Sequence, residues 1–156
     1  MSKSLARVIA ALQAAGIAST PLEMAAETRT APQAAAAAGC ALDQIVKSIL
    51  FAGETSGRLF LFLTAGGNQV DPAKASALAG ESLGRADARQ VRAVTGFAIG
   101  GVSPIGHLTP SPEFFDPRLL DFPQVWGAAG TPRHIFPIAP QDLLRLTGAT
   151  LAPFTA

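Results

Sequence analysis

Leu5, Val8, Ile9 and Leu12 recur at helical spacing, which predicts an amphipathic helix that Gly16 stops. Thr20 to Met24 reads as a short strand after that turn. Thr30-Ala31-Pro32-Gln33 is a helix start: the Thr30 hydroxyl can cap and Gln33 can reach back to close a capping box, with Gly39 ending the alanine-rich helix. The strongest strand signal follows. Ile45–Phe51 and Leu59–Leu63 are β-rich runs joined by Gly53-Glu54-Thr55-Ser56-Gly57, a hairpin by composition. The second run is apolar at every position, as in a strand covered on both faces. Asp71-Pro72 and Asp87 start two more helices, the latter ending near Thr95-Gly96. Beyond a glycine-rich segment from Phe97 to His107, strands are expected over 114–120, 124–128 and 134–138. A closing helix over 140–146 is stopped by Gly148.

Strands and helices mix without steady βαβ alternation, and neither a repeat nor a long linker divides them. The expectation is one α+β domain over residues 1–156 with a mostly antiparallel or mixed sheet.

Composition narrows the function classes. The 156 residues are 49% apolar and 15% charged, enough to bury one core and unlike a disordered chain. Net charge is +1, from twelve basic and eleven acidic residues. A protein that grips nucleic acid mainly through phosphates carries a basic excess, so any contact with RNA should be local and confined to one end of it. No signal-peptide pattern and no apolar run of ~20 residues stands in the sequence, and Cys40 is the single cysteine. The cytoplasm is the expected compartment.

Two local features break the pattern. On the 45–51 strand, Ile45, Lys47, Ile49 and Phe51 share one face, which puts a cation inside an apolar stripe. Such a lysine must be paired, line a cleft or have a depressed pKa; the alternative is a snorkelling lysine on an edge strand. The run Gly100-Gly101-Val102-Ser103-Pro104-Ile105-Gly106 prevents regular structure, either as a tight structural turn or to let backbone approach a ligand. Its N–H groups could hold a developing oxyanion. It is neither a phosphate loop nor a dinucleotide fingerprint. His107 and His134, the only histidines, are candidate proton carriers. Together with one cysteine they lack zinc-ligand spacing, so no metal or cofactor is expected.

At these residues the chain resembles the YbaK/ProX family of aminoacyl-tRNA deacylases. Residues 43–51 are similar to the family's lysine-bearing strand, and Thr95 to Gly106 to its glycine–proline loop with a G-x-x-x-P element from Gly100 to Pro104. Val70–Lys74, Val125–Pro132 and Arg29-Thr30-Ala31 also look like family segments, in the right order. The resemblance is strongest over 29–150. It implies a barrel-like α+β editing domain, related to the editing insertion of bacterial prolyl-tRNA synthetase, that hydrolyses mischarged aminoacyl-tRNA in trans and without metal. Lys47 would then be the essential residue. Gly100, Gly101, Val102, Ser103, Pro104 and Gly106 would hold the aminoacyl end, with Thr30, Ser48 and His134 as further substrate-binding residues.

The implied partner is the aminoacylated acceptor end of tRNA, tRNA for proline above all. Prolyl-tRNA synthetase or an elongation factor are candidate protein partners, and a homodimer is a candidate assembly. The segment His107-Leu108-Thr109-Pro110 departs from cysteine-specific relatives, which favours alanine over cysteine, serine or threonine. A cysteine substrate would allow lyase-like cyclisation instead of hydrolysis. The competing reading is a non-catalytic binding module of the same fold.

Overall fold

The computed structural model describes residues 1–156. Five helices form, four of them behind a side-chain cap and the last behind Ala139, with Pro140 at its first position. They are α1 (Lys3–Ala14), α2 (Ala31–Ala38), α3 (Pro72–Ala79), α4 (Ala88–Thr95) and α5 (Pro140–Thr147). The expected capping box is present on α2: Gln33 N–H donates to Thr30 Oγ1, and Thr30 N–H donates to Gln33 Oε1, both at 3.2 Å. Asp71 and Asp87 cap α3 and α4.

Eight strands form two sheets: β1 (Leu22–Glu23), β2 (Val46–Gly53), β3 (Leu59–Ala65), β4 (Leu83–Arg85), β5 (Glu113–Phe115), β6 (Val125–Ala128), β7 (His134–Ile138) and β8 (Thr150–Leu151). The larger sheet has the order β4-β2-β3-β5-β8 and the smaller β1-β7-β6. The β2–β3 hairpin is antiparallel, whereas β5 runs parallel to both β3 and β8, so the sheet is mixed. The two sheets touch through one bridge, Ile45 to Trp126, and do not close into a barrel.

Alternation along the hairpin divides the interior. Val46, Leu61 and Leu63 face the main core with Leu5, Val8 and Leu12 of α1, Phe115, Phe136 and Leu143. Phe60 and Phe62 face a second cluster with Phe114 and Phe154. Ala34 and Ala35 of α2 pack on Ile45 in a third. Every residue of β3 is buried, as its unbroken apolar run requires.

Three sequence expectations shift. The strand expected over 114–120 stops at Phe115, because Asp116-Pro117 opens a 3₁₀ turn, Pro117–Asp121, in which Asp116 Oδ1 accepts from Arg118 N–H at 3.0 Å. The 20–24 strand shrinks to Leu22–Glu23, its length of pairing with β7. The short strands β4 and β8 were not expected; they are edge additions of three and two residues whose register comes from tertiary pairing.

Candidate functional site

A cavity of about 460 Å³ opens where the two sheets diverge beyond the Ile45–Trp126 bridge. Its walls are Val46 to Leu50 of β2, Trp126 to Ala128 of β6, the Thr28–Ala31 entry to α2, and Arg85, Ile99, Gly100 and Val102. That volume suits a small organic group. Arg29, Arg85 and Lys47 bring three cations to a largely apolar lining.

Lys47 stands between the two smaller clusters, with Ile45 in one and Ile49 and Phe51 against the other. Its ammonium donates to the Asn68 carbonyl oxygen. Burial pushes its pKa down, while the nearby charges of Asp116 and Asp43 act in the opposite direction. Asp116, only 2% exposed, accepts from Ala65 N–H at 3.0 Å and Asn68 Nδ2 at 2.9 Å, which fixes the segment that receives the lysine. Asp43 accepts from Gly67 N–H at 2.7 Å and is bridged by Arg118 at 3.0 Å. The lysine is therefore paired and beside a cleft at once, a combination the stripe pattern left open. Asn68 and Asp116 were missed in the sequence; the Asp-Pro signature that marks α3 is repeated at Asp116-Pro117 and was the available signal.

The glycine–proline loop splits into two parts. Ala98, Ile99 and Gly100 are exposed, with Ile99 and Gly100 on the cavity, whereas Val102 to Ile105 are buried. Arg7 of α1 holds both ends of the loop, donating to Gly96 O at 2.7 Å and Gly106 O at 3.2 Å. Its guanidinium also lies 4.9 Å from the Phe97 ring centre. Gly106 has φ +77°, and a Cβ there would lie 3.1 Å from the Arg7 backbone, so glycine permits this approach. His107 Nε2 lies 2.6 Å from Ser103 O and its ring stands edge-on to Phe97 at 5.4 Å. A carbonyl can only accept, so Nε2 carries a proton, and Nδ1 is buried and without a partner. Burial, and secondarily the charge of Arg7, lower the His107 pKa against the opposing effect of the Ser103 bond.

Of the residues singled out in the sequence, Lys47, Ser48, Thr30, Gly100 and Val102 line the cavity. Gly101, Ser103, Pro104 and Gly106 do not; they form the supporting part of the loop, where Pro104 packs behind Gly127. His134 also lies off the cavity wall, its Nδ1 2.6 Å from Thr131 Oγ1 within the turn before β7. Cavity residues that the sequence did not single out include Thr28, Arg85, Ala86 and Val91. No three His, Cys, Asp or Glu side chains come together to hold a metal ion.

A family model of the aminoacyl-tRNA editing domain matches residues 25–146. The chain belongs to the aminoacyl-tRNA editing domain family. It is 32% identical over 122 residues to the uncharacterized protein YwhH of Bacillus subtilis (strain 168), across 78% of this chain and 76% of that protein. A crystal structure of a protein provisionally named a trans-editing enzyme for prolyl tRNA synthetase superposes with a TM-score of 0.92 at 47% identity, covering 100% of this chain and 99% of that one. The hypothetical protein APE2540 superposes with a TM-score of 0.88 at 27% identity, covering 96% and 99%. No helix of this editing-domain chain is long and apolar enough to cross a membrane.

Proposed function

We propose that the protein is a trans-editing deacylase that hydrolyses the ester joining a wrong, small amino acid to the acceptor end of a tRNA. The reading rests on one observation above the others: a half-buried lysine, its pKa depressed by burial, stands at a cavity of about 460 Å³ in a chain of the editing-domain family. An ammonium has three donors, and the Asn68 carbonyl occupies one. The remaining donors of Lys47 fix the polar part of the substrate.

An aminoacyl ester is already activated, so positioning and charge stabilisation suffice for its hydrolysis. Water bonds to the ester carbonyl carbon, the bond to the ribose oxygen breaks, and that oxygen takes the proton as the free amino acid leaves. N–H groups of the loop beginning at Gly100 stabilise the transient oxyanion. Arg29 and Arg85 carry the charge that meets the terminal phosphate, a local grip that agrees with a net charge of only +1.

The likeness to the structure provisionally named for prolyl tRNA synthetase supports tRNA for proline as the carrier. Small walls at Ala31, Ala34 and Gly127 support alanine as the amino acid, although one methylene discriminates by only ~1–3 kcal/mol. The protein acts as one domain, in the compartment where tRNA is charged.

The test is deacylation of tRNA for proline carrying alanine, cysteine, serine, threonine or proline, by wild type and Lys47→Ala. Wild type is expected to release alanine fastest, and the variant to release it about 100-fold more slowly. Full activity in a folded Lys47→Ala protein removes the lysine from the mechanism. No release from any of the five moves the protein to the binding-module reading.

A further inference from the structure

The cavity lies between two strand edges, of β2 and β6, that part company beyond the Ile45–Trp126 bridge. In β3, Leu61 N–H donates to Pro112 O and Leu63 O accepts from Asp116 N–H, so the odd-numbered residues of β3 bond toward β5. Alternation in an antiparallel pair then directs Phe60, Phe62 and Thr64 to β2, where they meet Phe51, Ile49 and Lys47. The N–H and C=O of Ser48 and Leu50 consequently point to the opposite edge of β2. There β4 pairs only with Phe51 to Gly53, and β6 touches only at Ile45. The same parity holds across the gap. Ala129 N–H donates to His134 O, and Gly127 faces Phe136, so the N–H and C=O of Ala128 turn away from β7. Ser48, Leu50 and Ala128 all line the cavity; the Leu50 C=O is turned to Ala86 N–H at the end of the β4 register, and no strand pairing covers the Leu50 N–H or the N–H and C=O of Ser48 and Ala128. Ser48 Oγ is buried and unpartnered beside them.

Unpaired main-chain groups on the two sides of one cavity are the requirement for strand-like capture of a third main-chain segment. We propose that the open edges of β2 and β6 bind the main-chain part of the aminoacyl group: the carbonyls accept from its free α-ammonium and the N–H groups donate to its ester carbonyl. This inference rests on the deacylase reading for the identity of the ligand. It deepens that reading by naming the chemical class required, an α-amino acid with an unblocked amine. Recognition through backbone leaves the side chain to the apolar walls, so the site reads side-chain size but insists on the amine. An N-blocked aminoacyl end offers one uncharged N–H where the ammonium offers three charged donors, so it leaves accepting carbonyls short in a desolvated site.

The experiment titrates the intact ¹⁵N-labelled protein with alanine joined through an amide to 3′-amino-3′-deoxyadenosine, a probe that cannot be hydrolysed as an ester. The N-acetylated form of the same probe serves as the comparison. The expected result is movement of the Ser48, Leu50 and Ala128 amide resonances with the free-amine probe, and at least about tenfold weaker binding of the acetylated one. Equal binding of the two probes, or binding that leaves those three amides unmoved, overturns the proposal.

Ala128→Pro removes one inward N–H without removing a ladder bond, and is expected to weaken the free-amine probe about tenfold. If that variant does not fold, the resonances of wild type decide. The two readings fail separately. Deacylation with unmoved edge amides keeps the enzyme and discards the edge site. Amine-dependent binding at those amides without deacylation keeps the edge site and discards the enzyme.

Discussion

β2 and β3 are partners in one hairpin, similar in length and both mainly apolar, yet they have opposite jobs. β3 has a strand on each edge and all seven residues buried. β2 is buried only at its ends, carries Lys47 in its apolar stripe, and has one bare edge over Ser48 to Leu50. A fully paired strand has no polar group left to offer a ligand, whereas a strand that loses its neighbour offers both donors and acceptors at fixed spacing. Stability is concentrated in the first, and binding capacity in the second.

The contrast can be broken most directly by one substitution on each strand. Lys47→Ala on β2 is expected to slow deacylation about 100-fold while moving the unfolding free energy by less than about 1 kcal/mol, because half-exposed surface replaces half-exposed surface. Leu61→Ala on β3 removes a fully buried side chain from the main core and should cost roughly 3 kcal/mol. Its activity per folded molecule should remain at the wild-type level. Urea unfolding and single-turnover deacylation on the same samples check both. A Lys47→Ala protein that loses stability as Leu61→Ala does would end the division of labour.

Glu113 sharpens the picture from the well-covered side. It stands beside Leu61 across the β3–β5 pairing, with a buried Oε2 that has no partner, and burial pushes its pKa up to about 8. The unfolded chain ionises this group near 4.5, so between those values the folded state holds a proton that the unfolded state has released. Its effect on stability is therefore neutral in acid and becomes unfavourable as pH rises toward 8, by a few kcal/mol. Glu113→Gln should flatten that decline and raise the melting temperature most at pH 8 and least at pH 4. An equal gain at both values would mean that ionisation is not the cause.

Much of this architecture was legible because it is local. Caps at Thr30, Asp71 and Asp87, the glycine stops and the hairpin all depend on residues within a few positions of one another. Lys47 was visible as a cation in an apolar stripe, and the glycine–proline run as an interruption. The cavity was not legible, since it exists only because β6 meets β2 at a single bridge and β4 arrives late. The same holds for Asn68 and Asp116, whose hydrogen bond joins residues 48 positions apart. Half of the interrupted loop is scaffold for the other half, and no spacing in the sequence distinguishes the exposed tip from the buried stem.

That stem carries the smallest of the expected effects. Ile99 and Gly100 line the same cavity as the bare edge of β2, and the stem behind them is held where His107 Nε2 donates to Ser103 O. The bond needs a proton on Nε2, and burial favours the neutral ring, with Nδ1 bare, by lowering the His107 pKa. His107→Ala frees the stem and should raise KM for aminoacyl-tRNA about tenfold, with kcat within about threefold of wild type, because the loop positions the aminoacyl end and does not react with it. His107→Gln places a side-chain N–H close to where Nε2 stood and should recover most of the loss, a rescue that a merely space-filling role would not need. The linkage runs toward acid: with the folded pKa depressed, the unfolded chain takes up a proton first as pH falls through about 6.5, so wild type loses stability there and both variants lose less. A Gln variant as defective as Ala, with the same acid slope as wild type, would show that the imidazole matters for its packing on Phe97 and not for the hydrogen bond that ties the loop to its stem.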